Sequence, residues 1–265
     1  MPGRLSGKKN SVKINFKCTR RVSIRGTPKE WNSLDIRGLQ RTSLIDFPGE
    51  ICATLFTGGC NLRCCYCYNK DLVFNPDTLP FFSQGEIMSF LQKRSSLLDG
   101  ICLTGGEPTL QKALLPFLTA VKELGLKVKL DTNGTRPAVL RRLLEKEVLD
   151  YVAVDLKGPW QKYPLITGKN IDVRVLKETI ALLKGGSLQH EFRTTVVPGI
   201  LGVEDLLIIS KTIEGSPKYV LQQFQPHPNL IDSSLCSTQP YSLETIQQAA
   251  LRCRQYVQSV ELRGF

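Results

Sequence analysis

Four cysteines crowd into eight residues of the run Gly58-Gly59-Cys60-Asn61-Leu62-Arg63-Cys64-Cys65-Tyr66-Cys67. Three of them, Cys60, Cys64 and Cys67, stand at steps of four and three. Soft thiolate donors suit iron–sulfur cores. A loop with this spacing can wrap one cubane and ligate three of its irons, leaving the fourth iron free to take a substrate. Zinc and plain packing are the alternatives. A structural zinc site wants four ligands, usually as two separated pairs. No second Cys or His pair follows here, and the adjacent Cys64 and Cys65 fit one tetrahedral ion poorly. The expectation is a cluster on Cys60, Cys64 and Cys67, with Cys65 a spare thiol or a competing ligand.

Further polar or glycine-rich signatures follow later apolar runs. Gly105-Gly106-Glu107 combines two residues that allow close backbone approach with a carboxylate able to accept hydrogen bonds from an ammonium group. A tight strand-to-helix turn is its bland reading. Asp131 and Asn133, in Asp131-Thr132-Asn133-Gly134, can hold ribose hydroxyls or a monovalent cation, or can simply cap a turn. Asp155 and Lys157 read either as site residues or as a buried ion pair. His227, between two prolines, is a candidate to pack on an adenine or else a surface-loop histidine, and His190 is given no role.

The elements that must position these residues can be read from periodicity. Strand candidates are Ile51–Phe56, Ile101–Leu103, Leu126–Leu130, Tyr151–Val154, Phe192–Val197, Tyr219–Phe224 and a short Ser259–Leu262. Helical patterns lie between them. Ser83 and Glu86 form a capping box, Pro137 suits a first helical turn, and apolar stripes run from Val175, Val203 and Leu243. Cys253 falls on the last stripe, and Cys52 and Cys102 within strands, so all three read as core. Strand-then-helix units imply parallel strands. Six units are too few for a closed eight-fold barrel, so the expectation is an open, partial (β/α)6 TIM-like barrel, with a doubly wound sheet as the alternative. In either architecture the working residues gather where strands end.

Composition sets the outer bounds. The chain has 265 residues and a net charge of +11, and residues 1–34 hold nine Lys or Arg against one acid, Glu30. That arm carries eight of the eleven surplus charges, so residues 35–265 form a nearly neutral domain and basicity does not argue for a nucleic-acid substrate. The arm reads as a disordered tail, with an organelle transit segment as its alternative. No apolar run approaches a membrane span. Nine cysteines, an odd count with four clustered, argue against a disulfide framework and fit a reducing cytoplasm.

The cysteine loop, with Tyr66 just before its last cysteine, resembles the signature of the radical S-adenosylmethionine enzymes. The likeness extends to Thr42–Gly49, Gly105–Leu110, Leu130–Gly134, Asp155–Lys157, Val196–Gly199 and the ending Val260–Phe265. In combination these resemble the activating proteins of glycyl-radical enzymes, above all the branch serving anaerobic ribonucleoside-triphosphate reductase. The resemblance covers residues 36–265. It implies one [4Fe–4S] cluster on Cys60, Cys64 and Cys67, with S-adenosylmethionine chelating the open iron. Gly105, Gly106 and Glu107 would hold its amino group. Asp131 and Asn133 would line the ribose or a cation site, and Tyr66, Lys157 and His227 would lie beside the cofactor. A flavodoxin- or ferredoxin-like donor would reduce the cluster, and the deoxyadenosyl radical formed would take hydrogen from a glycine of the partner enzyme. Family members commonly carry proline and histidine around the final cysteine, where this chain has Cys65 and Tyr68-Asn69-Lys70. A radical enzyme acting on a small molecule, and a zinc- or nucleic-acid-binding module, are the competing functions.

Overall fold

The structure, a computed structural model, describes residues 34–265. The sequence-based reading of the basic arm therefore lies outside the described residues, apart from Leu34, which is fully buried. In chain order the elements are β1 (Ile36–Ser43), β2 (Cys52–Thr57), α1 (Lys70–Phe74), α2 (Gln84–Arg94), β3 (Gly100–Gly105), α3 (Leu114–Glu123), β4 (Lys127–Thr132) and α4 (Pro137–Glu145). They continue with β5 (Tyr151–Asp155), α5 (Tyr163–Thr167), α6 (Val173–Lys184), β6 (Gln189–Val196), α7 (Val203–Thr212), β7 (Tyr219–Gln223), α8 (Leu243–Cys253) and β8 (Val260–Arg263).

Among the described residues the eight strands form one sheet in strictly sequential order, β1 to β8. Each pairing from β2 to β8 is parallel, and β1 pairs antiparallel with β2. Sequential order rules out a doubly wound sheet, which must reverse its winding at a switch point. Since β1 and β8 are the two ends of the order, the barrel is partial and open, as the sequence implied.

The sequence reading missed β1. Its sequence, IRGLQRTS, puts Arg37, Gly38 and Arg41 into an edge strand, with bulges between Ile36 and Gly38 and between Gln40 and Ser43. Charges and bulges are how edges avoid pairing with other chains, and they erase the alternation that would reveal a strand. The short helices α1 and α5 were missed too, being too brief to show a period. The longer helices start where expected. Ser83 and Glu86 close the capping box of α2, and Pro137 opens α4.

The strands alternate strongly. In β4, Val128 and Leu130 face the helices while Lys129 and Asp131 face the bore. In β6, Phe192 joins the helix-side core while Glu191 and Arg193 turn inward, and β8 repeats this with Val260 outward and Glu261 and Arg263 inward. The apolar core thus lies between sheet and helices, and it includes Cys253. Cys52 and Cys102 join Phe47 and Tyr151 in a separate small cluster. Charged side chains fill a bore that branched aliphatics usually fill in closed barrels. No helix among the described residues is long and apolar enough to cross a membrane.

Candidate functional site

The cysteine loop leaves β2 at the carboxyl-terminal rim and is fastened on three sides. The amide of Gly59 donates to Leu72 O of α1 (2.8 Å), and the amides of Arg63 and Cys65 donate to Thr167 O (2.8 Å) and Ile166 O (2.9 Å) of α5. The segment after β7 donates in turn, from Ile231 N to Cys67 O (3.0 Å) and from Asp232 N to Cys65 O (2.9 Å). Within the loop the Arg63 guanidinium donates to Cys60 O (2.6 Å) and Leu62 O (2.7 Å) and lies 4.9 Å from the ring centre of Phe74. The two helices missed in the sequence are therefore buttresses of the site.

The four thiols are not equivalent. Cys64 is buried and feels Lys157, Cys67, Cys60 and Cys65, whereas the charge acting on Cys65 is that of Asp232, although Cys65 packs against the same apolar cluster. Burial pushes the Cys64 thiol up to about 12 and raises Cys60 and Cys67 as well, with Lys157 working in the opposite direction at all three. Thiols so desolvated become thiolates when a metal core supplies the compensating charge. Among the described residues no three His, Cys, Asp or Glu side chains gather closely enough to hold one metal ion. A cubane instead presents three separate corners to three thiols. Tyr66 lies in the same apolar cluster as Leu62, Cys64 and Ile166, and its hydroxyl is buried without a partner. Three thiols on one braced loop, beside an unsatisfied buried hydroxyl and a buried cation, fit a cluster with a polar organic ligand.

The glycines of Gly105-Gly106-Glu107 bring backbone against backbone. A Cβ at Gly106 would lie 1.9 Å from Gly59 O, and one at Gly105 (φ +116°) would lie 2.3 Å from Thr57 N. The amides of Gly106 and Glu107 donate to Thr57 O and Gly59 O, both at 2.8 Å, which locks this turn against the root of the cysteine loop. Glu107 meets a closed site rather than an open one. Its carboxylate is fully buried and accepts from the Thr109 amide (3.0 Å) and hydroxyl, the Thr132 hydroxyl (2.7 Å) and the Asn133 amide (2.7 Å). Burial raises its pKa despite these four bonds. Three of these donors share Oε1 and only the Asn133 amide meets Oε2, so Glu107 ties β3 to the end of β4 while Oε2 keeps accepting capacity.

The remaining sequence candidates divide. Asn133 reaches the cysteine loop, donating to Asn61 Oδ1 (2.9 Å) and accepting from Thr135, while Asn61 donates to the Thr135 hydroxyl (2.8 Å). Lys157 Nζ lies 6.0 Å from the ring centre of Tyr66 and 3.1 Å from Asp155 Oδ2. Burial opposes its charge, but Asp155, Tyr66 and Cys64 outweigh it and hold its pKa well above the ordinary value. His227 is exposed at the rim, its ring centre 6.1 Å from that of Tyr68, and its Nδ1 accepts from the Asn229 amide (3.0 Å). Asp131 departs from expectation. Its Oδ1 pairs with Lys129 and its Oδ2 with Arg193 (2.9 Å), so both oxygens already face a cation supplied by the chain itself. Nor do Asp155 and Lys157 form an isolated pair. Arg193 bridges Asp155 (2.8 Å) to Asp131, so that Lys129, Asp131, Arg193, Asp155 and Lys157 make one continuous chain.

Arg193 has no motif around it and was missed. The available signal was charge at alternate positions inside strands, in Lys129 and Asp131, Glu191 and Arg193, and Glu261 and Arg263. Two cavities of about 630 and 320 Å³ lie at the opposite end of the strands, beside their first residues Lys127, Tyr151 and Gln189, away from the thiols.

Comparison with known proteins places this arrangement. The chain is 37% identical over 197 residues to the "Putative glycyl-radical enzyme activating enzyme" of Methanocaldococcus jannaschii, covering 72% of this chain and 80% of that one. It is 32% identical over 142 residues to the pyruvate formate-lyase-activating enzyme of Clostridium pasteurianum (51% and 57% of the two chains). It is also 26% identical over 192 residues to the 7-carboxy-7-deazaguanine synthase of Thermococcus kodakarensis (63% and 72%). Among solved structures, Streptococcus suis SuiB bound to S-adenosylmethionine shares the fold, with a TM-score of 0.60 at 12% identity over 78% of this chain and 48% of that one. The family model of the radical SAM superfamily matches residues 54–205. The chain belongs to the radical SAM superfamily, and is an oxidoreductase whose cofactors are a [4Fe–4S] cluster and S-adenosylmethionine.

Proposed function

We propose that the protein is an activase that generates a glycyl radical on a partner enzyme, anaerobic ribonucleoside-triphosphate reductase. A bound [4Fe–4S] cluster and S-adenosylmethionine would together supply the one-electron, hydrogen-abstracting chemistry that this activity needs. Cys60, Cys64 and Cys67 hold the cluster, and Arg63 fixes the loop carbonyls between them. Lys157 would offer its ammonium to the cofactor carboxylate, and Tyr66, whose buried hydroxyl has no partner, would offer that hydroxyl to the same ligand. The Gly105–Gly106 turn and Asn133 set the wall behind the loop, and His227 stands at the outer rim.

The observation that carries the activase reading is the filled bore. Lys129, Asp131 and Arg193, with side chains no more than 13% exposed, occupy the barrel interior with a closed ion chain. With the interior so occupied, the approach to the thiol loop is from the rim, where a glycine-bearing loop of a partner would meet it. Similarity to the M. jannaschii protein over most of both chains supports the same reading. A flavodoxin- or ferredoxin-like donor and a reducing cytoplasm suit an oxygen-labile cluster at the barrel rim.

The test is electron paramagnetic resonance after anaerobic incubation of the reduced holoprotein with S-adenosylmethionine and the anaerobic reductase of the same organism. A glycyl doublet on the reductase is expected. Deoxyadenosine released without a protein radical would transfer the assignment to a small-molecule substrate, the chemistry of the T. kodakarensis relative.

A further inference from the structure

Two carboxylates stand at the ends of adjacent strands beside the thiol loop, Asp131 on β4 and Asp155 on β5. Such a pair, if left bare, would repel and would recruit a cation from solvent, and for Asp131, with Asn133, the sequence had offered a cation or ribose hydroxyls as ligand. The structure fills it differently. Arg193, from the next strand β6, sends Nη1 to Asp131 Oδ2 (2.9 Å) and Nε to Asp155 Oδ1 (2.8 Å). Lys129 takes the other oxygen of Asp131, and Lys157 the other oxygen of Asp155 (3.1 Å). Three cations thus meet two carboxylates, and all four carboxylate oxygens are engaged.

We infer that Arg193 occupies the place of a monovalent metal cation, so that this enzyme binds S-adenosylmethionine without potassium or sodium. A planar guanidinium with donors in a fixed fork can span two carboxylates from neighbouring strands, which a hydrated point charge does less rigidly. The surplus positive charge falls to Lys157, 6.0 Å from the ring centre of Tyr66 and on the thiol-loop side of the chain. The protonation of the group agrees. Burial alone would raise the Asp131 and Asp155 carboxyls, but Arg193 together with Lys129 and Lys157 holds both below the usual carboxylate range. Glu191 lies 4.0 Å from Arg193 and is itself paired with Arg263 (3.2 Å), so it does not draw the guanidinium away. Arg193 is a positioning residue in this account: it acts on the cofactor through Asp155 and Lys157.

The experiment measures S-adenosylmethionine binding to the reconstituted holoprotein by equilibrium dialysis, in potassium, sodium and tetramethylammonium chloride at equal ionic strength. The affinities should agree within roughly twofold, and a gain of about tenfold or more with either metal cation would overturn the inference. A second arm replaces the guanidinium, Arg193→Met, and follows the thermal midpoint of the protein in the same three salts. The variant exposes the carboxylate pair, so its midpoint should rise in potassium or sodium over tetramethylammonium, while wild type shows no difference. A variant that folds yet ignores the metal cations would count against the inference. Should Arg193→Met fail to fold, Arg193→Lys replaces it, with a weaker cation response expected and none contradicting the inference. Failure to bind S-adenosylmethionine in any salt would instead strike at the cofactor assignment, and is therefore distinguishable.

Discussion

Replacing Cys64 by alanine is expected to abolish the iron–sulfur chromophore and all reductive cleavage of S-adenosylmethionine, whereas Cys65→Ala keeps both. The two neighbouring thiols differ in depth and in the charges that act on them. Cys64 shares its surroundings with Cys60, Cys67 and Lys157, and three of a cubane's four irons need all three thiolates. Asp232 is the charge acting on Cys65, which is half-buried at the edge of the loop's apolar cluster, and alanine preserves its backbone bonds to Ile166 and from Asp232. Deleting a sulfur from the packed Cys64 site costs about 1–2 kcal/mol of stability at most, too little to unfold the domain. Visible absorption and iron content after anaerobic reconstitution, alongside circular dichroism, separate loss of ligand from loss of fold. Cluster retained in Cys64→Ala and lost in Cys65→Ala would reverse the ligand assignment.

Gly106→Ala should cost nearly as much function by another route. A methyl group there would sit 1.9 Å from the Gly59 carbonyl oxygen, backbone against backbone, so no side-chain rotation relieves the clash. The turn and the root of the cysteine loop must separate, which breaks the 2.8 Å bond from Glu107 N to Gly59 O and draws Glu107 away from Thr132 and Asn133. Overpacking of this kind costs roughly 1–3 kcal/mol, and disturbing a buried carboxylate adds to it. The expected outcome is a folded protein with a lowered thermal midpoint that retains little cluster. Gly85→Ala, in α2 with nothing within 4 Å of the added carbon, is the matched control: it should leave the cluster content unchanged and hold or slightly raise the thermal midpoint.

Much of the rim was legible because its signals are local. A three-cysteine spacing, a glycine pair before a glutamate and a proline at a helix start each speak through a few consecutive residues. The sequential parallel sheet followed from strand-then-helix alternation. What escaped depends on distance along the chain. Arg193 meets Asp131 across 62 positions and Asp155 across 38, and nothing near Arg193 in sequence announces those partners. The partners of Glu107 were hidden for the same reason, since Thr132 and Asn133 lie 25 and 26 residues away. β1 was hidden because an edge strand is built from charges and bulges, and α5 because five residues carry no period.

The central claim is that Cys60, Cys64 and Cys67 grip a cubane with one iron left open. Iron, sulfide and zinc should be counted in anaerobically reconstituted protein, and the electron paramagnetic resonance of the reduced form recorded with and without S-adenosylmethionine. Four irons and four sulfides per chain are predicted, with a brown colour and a reduced-cluster signal that changes shape when S-adenosylmethionine is added. A colourless protein carrying zinc in the loop, or a cluster signal indifferent to S-adenosylmethionine, would contradict it.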